Sequence, residues 1–266
     1  MPRISVVTIS FNQLDYLTRC VESIRAQGFS DYEHIIVDPG STDGSREWLT
    51  ENESPRTRVI FQPDDGPSQG LNHGLSACRG EIFMYLNSDD ELAPGALDAV
   101  NAVHEMHPQV DVVIGNGWTI DIEGKPIDYV RSDPFSPLRY SLSIGNIMQQ
   151  STSFKSRLFD AGLSFNESNK SVWDTELLFD AHSMNAKFMN VNACIGYFRL
   201  HPDSITVSQR HAQDIRNHQR RMISESLGPV VYSLNRPLSY FCRAGKKLRN
   251  TVLSLRSAPV FPGRSG

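Results

Sequence analysis

The first 115 residues alternate strand-like and helix-like patterns, and that alternation restricts the fold more than any other feature of the chain. Ile4–Ser10 carries Ile4, Val6, Val7 and Ile9 and reads as a buried strand. Leu14, Leu17, Val21 and Ile24 recur at helical spacing, which predicts a helix from about Leu14 to Gln27 that Gly28 can end. Tyr32–Val37 is a second strand, the segment from Asp38 to Gly44 a turn, and Ser45–Leu49 the start of another helix. Arg58–Gln62 is a third strand, and Pro67 suits the first position of a helix reaching Cys78. Glu81–Leu86 is a fourth strand, Pro94 opens a helix to His107, and Val110–Ile114 is a fifth strand. Such a series implies an α/β fold around a mostly parallel, doubly wound sheet.

After Gly115 the pattern changes. Trp118–Ile122 and Pro126–Val130 flank Glu123-Gly124-Lys125 as a hairpin would. The stretch from Ile127 to Gln150 is mixed and rich in loop formers, Asp174–Met184 reads as a helix, and Lys187–Val191 and Cys194–Leu200 read as short strands. Beyond Asp203 the chain turns helical and basic. From Val207 onward the charge balance is +9, against −13 for the preceding 206 residues, as expected of a body and a tail with different partners. Hydrophobic content of 39% and charged content of 21% fit a globular protein, and no apolar run is long enough to span a bilayer. The start Met1-Pro2-Arg3-Ile4 runs straight into a strand pattern, and the four cysteines match no zinc or redox spacing, so a reduced, cytoplasmic protein is expected.

In open α/β sheets, ligands bind outside the carboxyl ends of the strands. Four such ends here are polar: Thr8-Ile9-Ser10-Phe11-Asn12, Asp38 with Ser41-Thr42-Asp43, Asp64-Asp65-Gly66, and Asn87-Ser88-Asp89-Asp90. On neighbouring strands they would make one oxygen-rich crevice, too acidic for a bare phosphate. A divalent cation, Mn²⁺ or Mg²⁺, bridging carboxylate and ligand phosphates would make sense of it, with Asp89 as its ligand and Asp90 behind. A cap for the Pro94 helix is the other reading of that acidic pair. No dinucleotide-binding glycine pattern, Walker A loop, serine nucleophile elbow or zinc cluster is present.

Taken in order, four segments resemble the family 2 glycosyltransferases, whose fold is GT-A: Ser5–Asn12, Ile36–Ser45, Asp64–Leu75 and Gly80–Asp90. Weaker similarity reaches Gln149-Gln150-Ser151-Thr152, Trp173–Leu177 and Arg199-Leu200-His201. The resemblance implies a nucleotide-diphospho-sugar donor, UDP or dTDP type, in the first half. Thr8 and Asp38 would contact the base, while Ser10, Asn12, Ser41, Asp43, Asp65, Gly66, Gln69 and Asn72 would line the nucleotide site. Asn87 and Ser88 would lie near the ribose, and Asp89 with His201 would hold the metal. Asn87 stands where the family usually has Asp, Pro39 replaces a common Gly, and Gln69 a frequent Asp. Asp174 resembles the family's base for an inverting transfer, against the plain reading of a helix cap. Gln149, Gln150, Trp173 and Glu176 would contact a glycan or polyprenyl-linked acceptor, although Asp174 and Glu176, about 200° apart on a helix, cannot face one cleft together. Residues 1–206 would form the GT-A domain, divided at 115/116 into donor and acceptor halves, and 207–266 a basic helical extension. The extension mixes apolar and basic residues between Pro229 and Leu255, which suits the inner face of a membrane, the acidic body, or a second subunit in a homo-oligomer. A nucleic-acid role fits poorly with an acidic body. A nucleotidyltransferase, or a non-catalytic sugar-nucleotide-binding module, is the competing reading of the whole chain.

Overall fold

The computed structural model describes residues 1–202, 204 and 212–228. The basic stretch from Pro229 onward, with Cys242, lies outside them. Among the described residues nine strands form one sheet. Its first half is built from β1 (Ile4–Ile9), β2 (Tyr32–Asp38), β3 (Thr57–Phe61) and β4 (Ile82–Asn87), in the order β3-β2-β1-β4 and parallel throughout. Helices α1 (Leu14–Arg25), α2 (Ser45–Glu51), α3 (Pro67–Ser76) and α4 (Ala96–Met106) make the crossovers.

Both faces of this half are covered, which is why β1 and β4 are apolar without alternation. Ile4 and Val6 point to one face and pack with Cys20 and Ile24 of α1 and Leu97 and Val100 of α4. Val7 points to the other, with Leu71 of α3 and Phe83, Tyr85 and Phe154. The α3 helix lies so close to β1 that a Cβ on Gly74 would stand 2.4 Å from Val7 Cγ1.

The second half departs from the sequence expectation in an instructive way. The expected fifth parallel strand does not join β4. A four-residue strand, β8 (Thr152–Lys155), sits between them and pairs antiparallel with both β4 and β6 (Val112–Ile120). The two strand patterns at 110–114 and 118–122 are one strand, β6, whose hairpin partner is β7 (Pro126–Val130). The patterns at 187–191 and 194–200 are likewise one strand, β9 (Phe188–Arg199), parallel to β6. Gly115 and Gly117 made the first look broken, and Asn192-Ala193 the second. Gly117 and Gly196 are register partners on these parallel neighbours, whose backbones approach so closely that a Cβ on Gly117 would lie 2.1 Å from the Gly196 carbonyl oxygen. Register shifts around Asn116 absorb the misfit. The two-residue β5 (Glu91–Leu92) pairs with the end of β9, carrying the acidic loop after β4 across to it.

Helices α5 (Pro137–Ser141), α6 (Arg157–Asp160) and α7 (Trp173–Ser183) complete the second half. The last described helix, α8 (Ala212–Leu227), packs on α5 and α7 and buries Met222 and Ile223. No helix among the described residues is long and apolar enough to cross a membrane.

Candidate active site

The carboxyl ends of β1 and β4 open onto a cleft of about 920 Å³. Its floor includes Ser10, Asn87 and Asp89, one side Asp64, Asp65 and Gly66, and the opposite side Gln149, Gln150, Trp173 and Asp174. Four of the lining residues are carboxylates, and among the described ones none is Lys or Arg. Phe11, largely exposed, stands at the rim.

Asp89 is two residues beyond the β4 end, and its Oδ2 lies 2.9 Å from His201 Nε2. His201, just past β9, is buried against the Tyr16 ring. Asp90 points inward, where its Oδ1 accepts from the Arg199 N–H (3.0 Å) and its Oδ2 from Gln150 Nε2 (2.7 Å). Burial, then the neighbouring Asp89, pushes Asp90 well above the usual carboxylate range. Among the described residues no cluster of three His, Cys, Asp or Glu would enclose a metal alone. Asp89 and His201 fit an ion that keeps one or two protein ligands and takes the rest from phosphate and water.

Asp174 lies at the start of α7 and faces the cleft; burial raises its carboxyl above the ordinary value, against hydrogen bonds from Thr175. Gln149 lines the cleft too, with Nε2 donating to the Tyr85 carbonyl at 3.0 Å.

Other residues singled out from sequence lie behind the walls. Thr8, on β1, is buried on the α1 side of the sheet, its hydroxyl 2.9 Å from His34 Nε2 and 3.8 Å from Cys20 Sγ. Asp38 is buried behind Pro39; its Oδ1 accepts the N–H groups of Gly40 (2.9 Å) and Ser41 (2.8 Å), while Oδ2 has no partner among the described residues. Asn12, Ser41 and Asp43 staple the loops after β1 and β2: the Asn12 N–H donates to Ser41 Oγ, Thr42 N–H to Asn12 Oδ1, and Leu14 N–H to Asp43 Oδ2. Ser88 donates to Gln13, a lining residue. Gln69 and Asn72 on α3 hold the segment before α7, through Glu167 and both backbone groups of Phe165. Glu176 faces away from the cleft and accepts from Asn166, Asn169 and Arg221 of α8.

Sequence reasoning missed Arg199. Fully buried, it donates to the carbonyls of Asp89 (2.9 Å) and Asp121 (2.8 Å), pairs with Glu91, and lies over the Tyr16 ring. An arginine inside the strand pattern Cys194–Leu200, two places before His201, was the available signal.

A mostly parallel sheet with a carboxylate just past the end of its fourth strand, sharing a cleft with a second carboxylate from the other half, defines an α/β protein of the GT-A class. The chain belongs to glycosyl transferase family 2, whose model matches residues 5–162. An uncharacterized glycosyltransferase of Nostoc sp. is 36% identical over 129 residues, 45% of this chain and 40% of that protein. Chondroitin synthase of Escherichia coli is 27% identical over 229 residues, 85% of this chain and 33% of that protein. The chain thus spans well under half the length of these relatives. Among solved structures, S. aureus TarS 1–349 in complex with UDP-GlcNAc superposes with a TM-score of 0.65 at 19% identity, covering 86% of this chain and 72% of that one. Mannosyltransferase PcManGT from Pyrobaculum calidifontis, in complex with GDP-Man and Mn²⁺, superposes at 0.60 with 15% identity, covering 97% and 76%.

Proposed function

We propose that this chain is a metal-dependent, inverting glycosyltransferase that moves a sugar from a UDP- or dTDP-sugar to a hydroxyl of a glycan or polyprenyl-linked acceptor in cell-surface polysaccharide assembly. One observation carries it: Asp89 and Asp174, from different halves, open onto the same cleft. In this reading residues 1–115 bind donor and 116–206 acceptor. The chondroitin synthase relative supports the glycan assignment, and the TarS complex with UDP-GlcNAc the donor class.

Phe11 offers a ring to the base. Asp89 and His201 would hold Mn²⁺ or Mg²⁺, which when bound neutralises charge growing on the diphosphate. The cleft's acidity and its lack of Lys or Arg among the described lining residues support that need. Asp174 takes the proton of the acceptor hydroxyl as its oxygen bonds to the anomeric carbon. The bond from that carbon to the diphosphate oxygen breaks, and its electron pair leaves with the diphosphate. A base and a leaving group on opposite faces of the sugar give inversion. The raised pKa of Asp174 makes it a better base than an ordinary carboxylate.

The test pairs two variants. Nucleotide sugars with UDP, dTDP and GDP are screened by thermal shift with and without Mn²⁺. Asp89→Ala is expected to abolish the metal-dependent shift. Asp174→Asn is expected to keep it and lose about 10²–10⁴-fold in transfer. Unimpaired transfer by Asp174→Asn would end the assignment of the base, and an unchanged Mn²⁺-dependent shift in Asp89→Ala that of the metal ligand.

A further inference from the structure

Beside the cleft lies a second chamber of about 210 Å³. The two share Asn146, Ile147, Gln149 and Asp174, so the proposed base stands at their junction. Past that junction the lining changes to the rings of Tyr85, Phe135, Tyr140 and Phe154, with Arg139 and Thr175 among them.

The chamber is braced from outside. Arg139 Nη2 is held by Asp133 at 2.7 Å, and Asp133 also accepts the Asn146 N–H at 3.1 Å. The Tyr140 hydroxyl accepts from Gln219 of α8 at 3.0 Å, and Phe135 and Tyr140 both stand edge-on to Phe179. One polar atom is left over: Arg139 Nε is buried without a hydrogen-bond partner among the described residues. A buried N–H in that state is costly, and it holds Arg139 in the wall at the expense of local stability.

These walls select a chemistry. Aromatic faces with a few fixed polar groups suit an amphipathic ring. A charged group would lose its hydration against four rings, and the Arg139 charge is already paired with Asp133. Drug-sized ligands occupy about 300 Å³ or more, so this space holds one ring rather than a chain.

We propose that the chamber behind Asp174 is a separate subsite for one uncharged sugar ring of the acceptor, with the aromatic rings against its C–H faces and its hydroxyls toward the polar groups of Arg139 and Thr175 that line the chamber. The assignment of this ring to an acceptor rests on the glycosyltransferase mechanism above; the binding site itself does not. Helix α8 serves the subsite by fixing Tyr140, which makes the described part of the C-terminal extension a component of acceptor binding.

The test is saturation-transfer NMR on the full chain with methyl glycosides of neutral hexoses and N-acetylhexosamines. Leu178, which lines the chamber, is replaced by Trp to fill it. Gly145 lines it as well, and a Cβ there meets Tyr140 N only at 3.6 Å, an ordinary contact, so Gly145→Met obstructs the chamber on an unstrained backbone. At least one glycoside is expected to bind, to stay bound when UDP and Mn²⁺ are added, and to lose tenfold or more in signal in both variants. Mn²⁺-dependent UDP binding, unchanged in the variants, reports that each is folded. If Leu178→Trp does not fold, Gly145→Met decides. Failure of every glycoside to bind, displacement by UDP, or equal binding to a folded variant overturns the subsite. Failure of the wild type to bind any nucleotide sugar overturns the donor reading and leaves the glycoside result standing on its own.

Discussion

In the proposed mechanism, Asp174 sets stability against chemistry. Its folded pKa is raised by burial, so between its unfolded and folded values the native state binds more protons than the unfolded chain. Stability therefore falls as pH rises through that window, and at neutral pH the ionised carboxylate is a net cost. Asp174→Asn removes the charge and keeps the shape. Its melting temperature at pH 7 is expected to exceed that of the wild type while transfer is lost; a lower one would mean that the carboxylate is held by contacts that outweigh its burial. Arg199 is the opposite case. Its guanidinium closes the loop that carries Asp89 and pairs with a buried Glu91, and removing one partner of a buried pair costs about 3–5 kcal/mol. Arg199→Met is expected to lose about that much in urea unfolding, with Arg199→Lys intermediate because an ammonium cannot reach so many acceptors at once. A loss under 1 kcal/mol for the Met variant would remove Arg199 from the support of the acidic loop. Asp89 and Asp174 could both be found in the sequence, one as a carboxylate ending an apolar run and the other through resemblance. For Arg199 the sequence offers only an arginine inside a strand pattern, and what it does there is not readable locally, because its partners include the carbonyls of residues 78 and 110 positions away.

Elements of the first half were legible because each obeys a local rule. Pro67 does open α3, and β1 to β4 lie within a residue or two of their expected limits. The second half obeys tertiary rules instead. Gly115 and Gly117 read as breaks, yet they lie inside β6, where the close approach of β9 leaves no room for a side chain. A four-residue β8 after a turn has too little pattern to be seen, and it is this strand that seats β6 at a distance from β4. The same conflict between local and tertiary rules is measurable at Gly74. In a free helix, Gly→Ala is worth about 1 kcal/mol in favour of Ala. Here the new methyl would meet Val7 Cγ1 at 2.4 Å, and overpacking of this kind costs about 1–3 kcal/mol. Gly74→Ala is expected to destabilise, and Val7→Ala in the same chain to recover part of the loss, giving a coupling energy between the two sites in a double-mutant cycle. Simple additivity would mean that α3 can ride away from β1 without penalty.

For the molecule as a whole, buried histidines and buried carboxylates bound the stable range of pH from opposite sides. His34, between β2 and α1, is lowered to about 3 by burial and then by Arg25. His104 on α4 is lowered to about 4, again first by burial and then by Lys155, Arg3 and Arg157, with Asp111 opposing them. Each spends its Nε2 on a neighbouring hydroxyl, Thr8 or Ser153, and the Nδ1 of each is buried without a partner among the described residues. Protonation would place a charge and an unmet N–H in the core. Between these lowered values and about 6.5 the unfolded chain binds more protons than the native one, so stability rises with pH across that interval and is lost as acid is added. The limiting slope is about 1.4 kcal/mol per pH unit for each histidine. Asp174 and Asp64, both raised by burial, act the other way near and above the ordinary carboxylate range. His104→Gln keeps a side chain that can bond Ser153 and removes one titrating group, so its urea midpoint is expected to fall less steeply than the wild type's between pH 6.5 and 4, by up to one proton's slope. An unchanged slope would place the acid sensitivity with His34 or outside the two faces of the sheet, and a steeper one would mean that His104 is charged in the native protein.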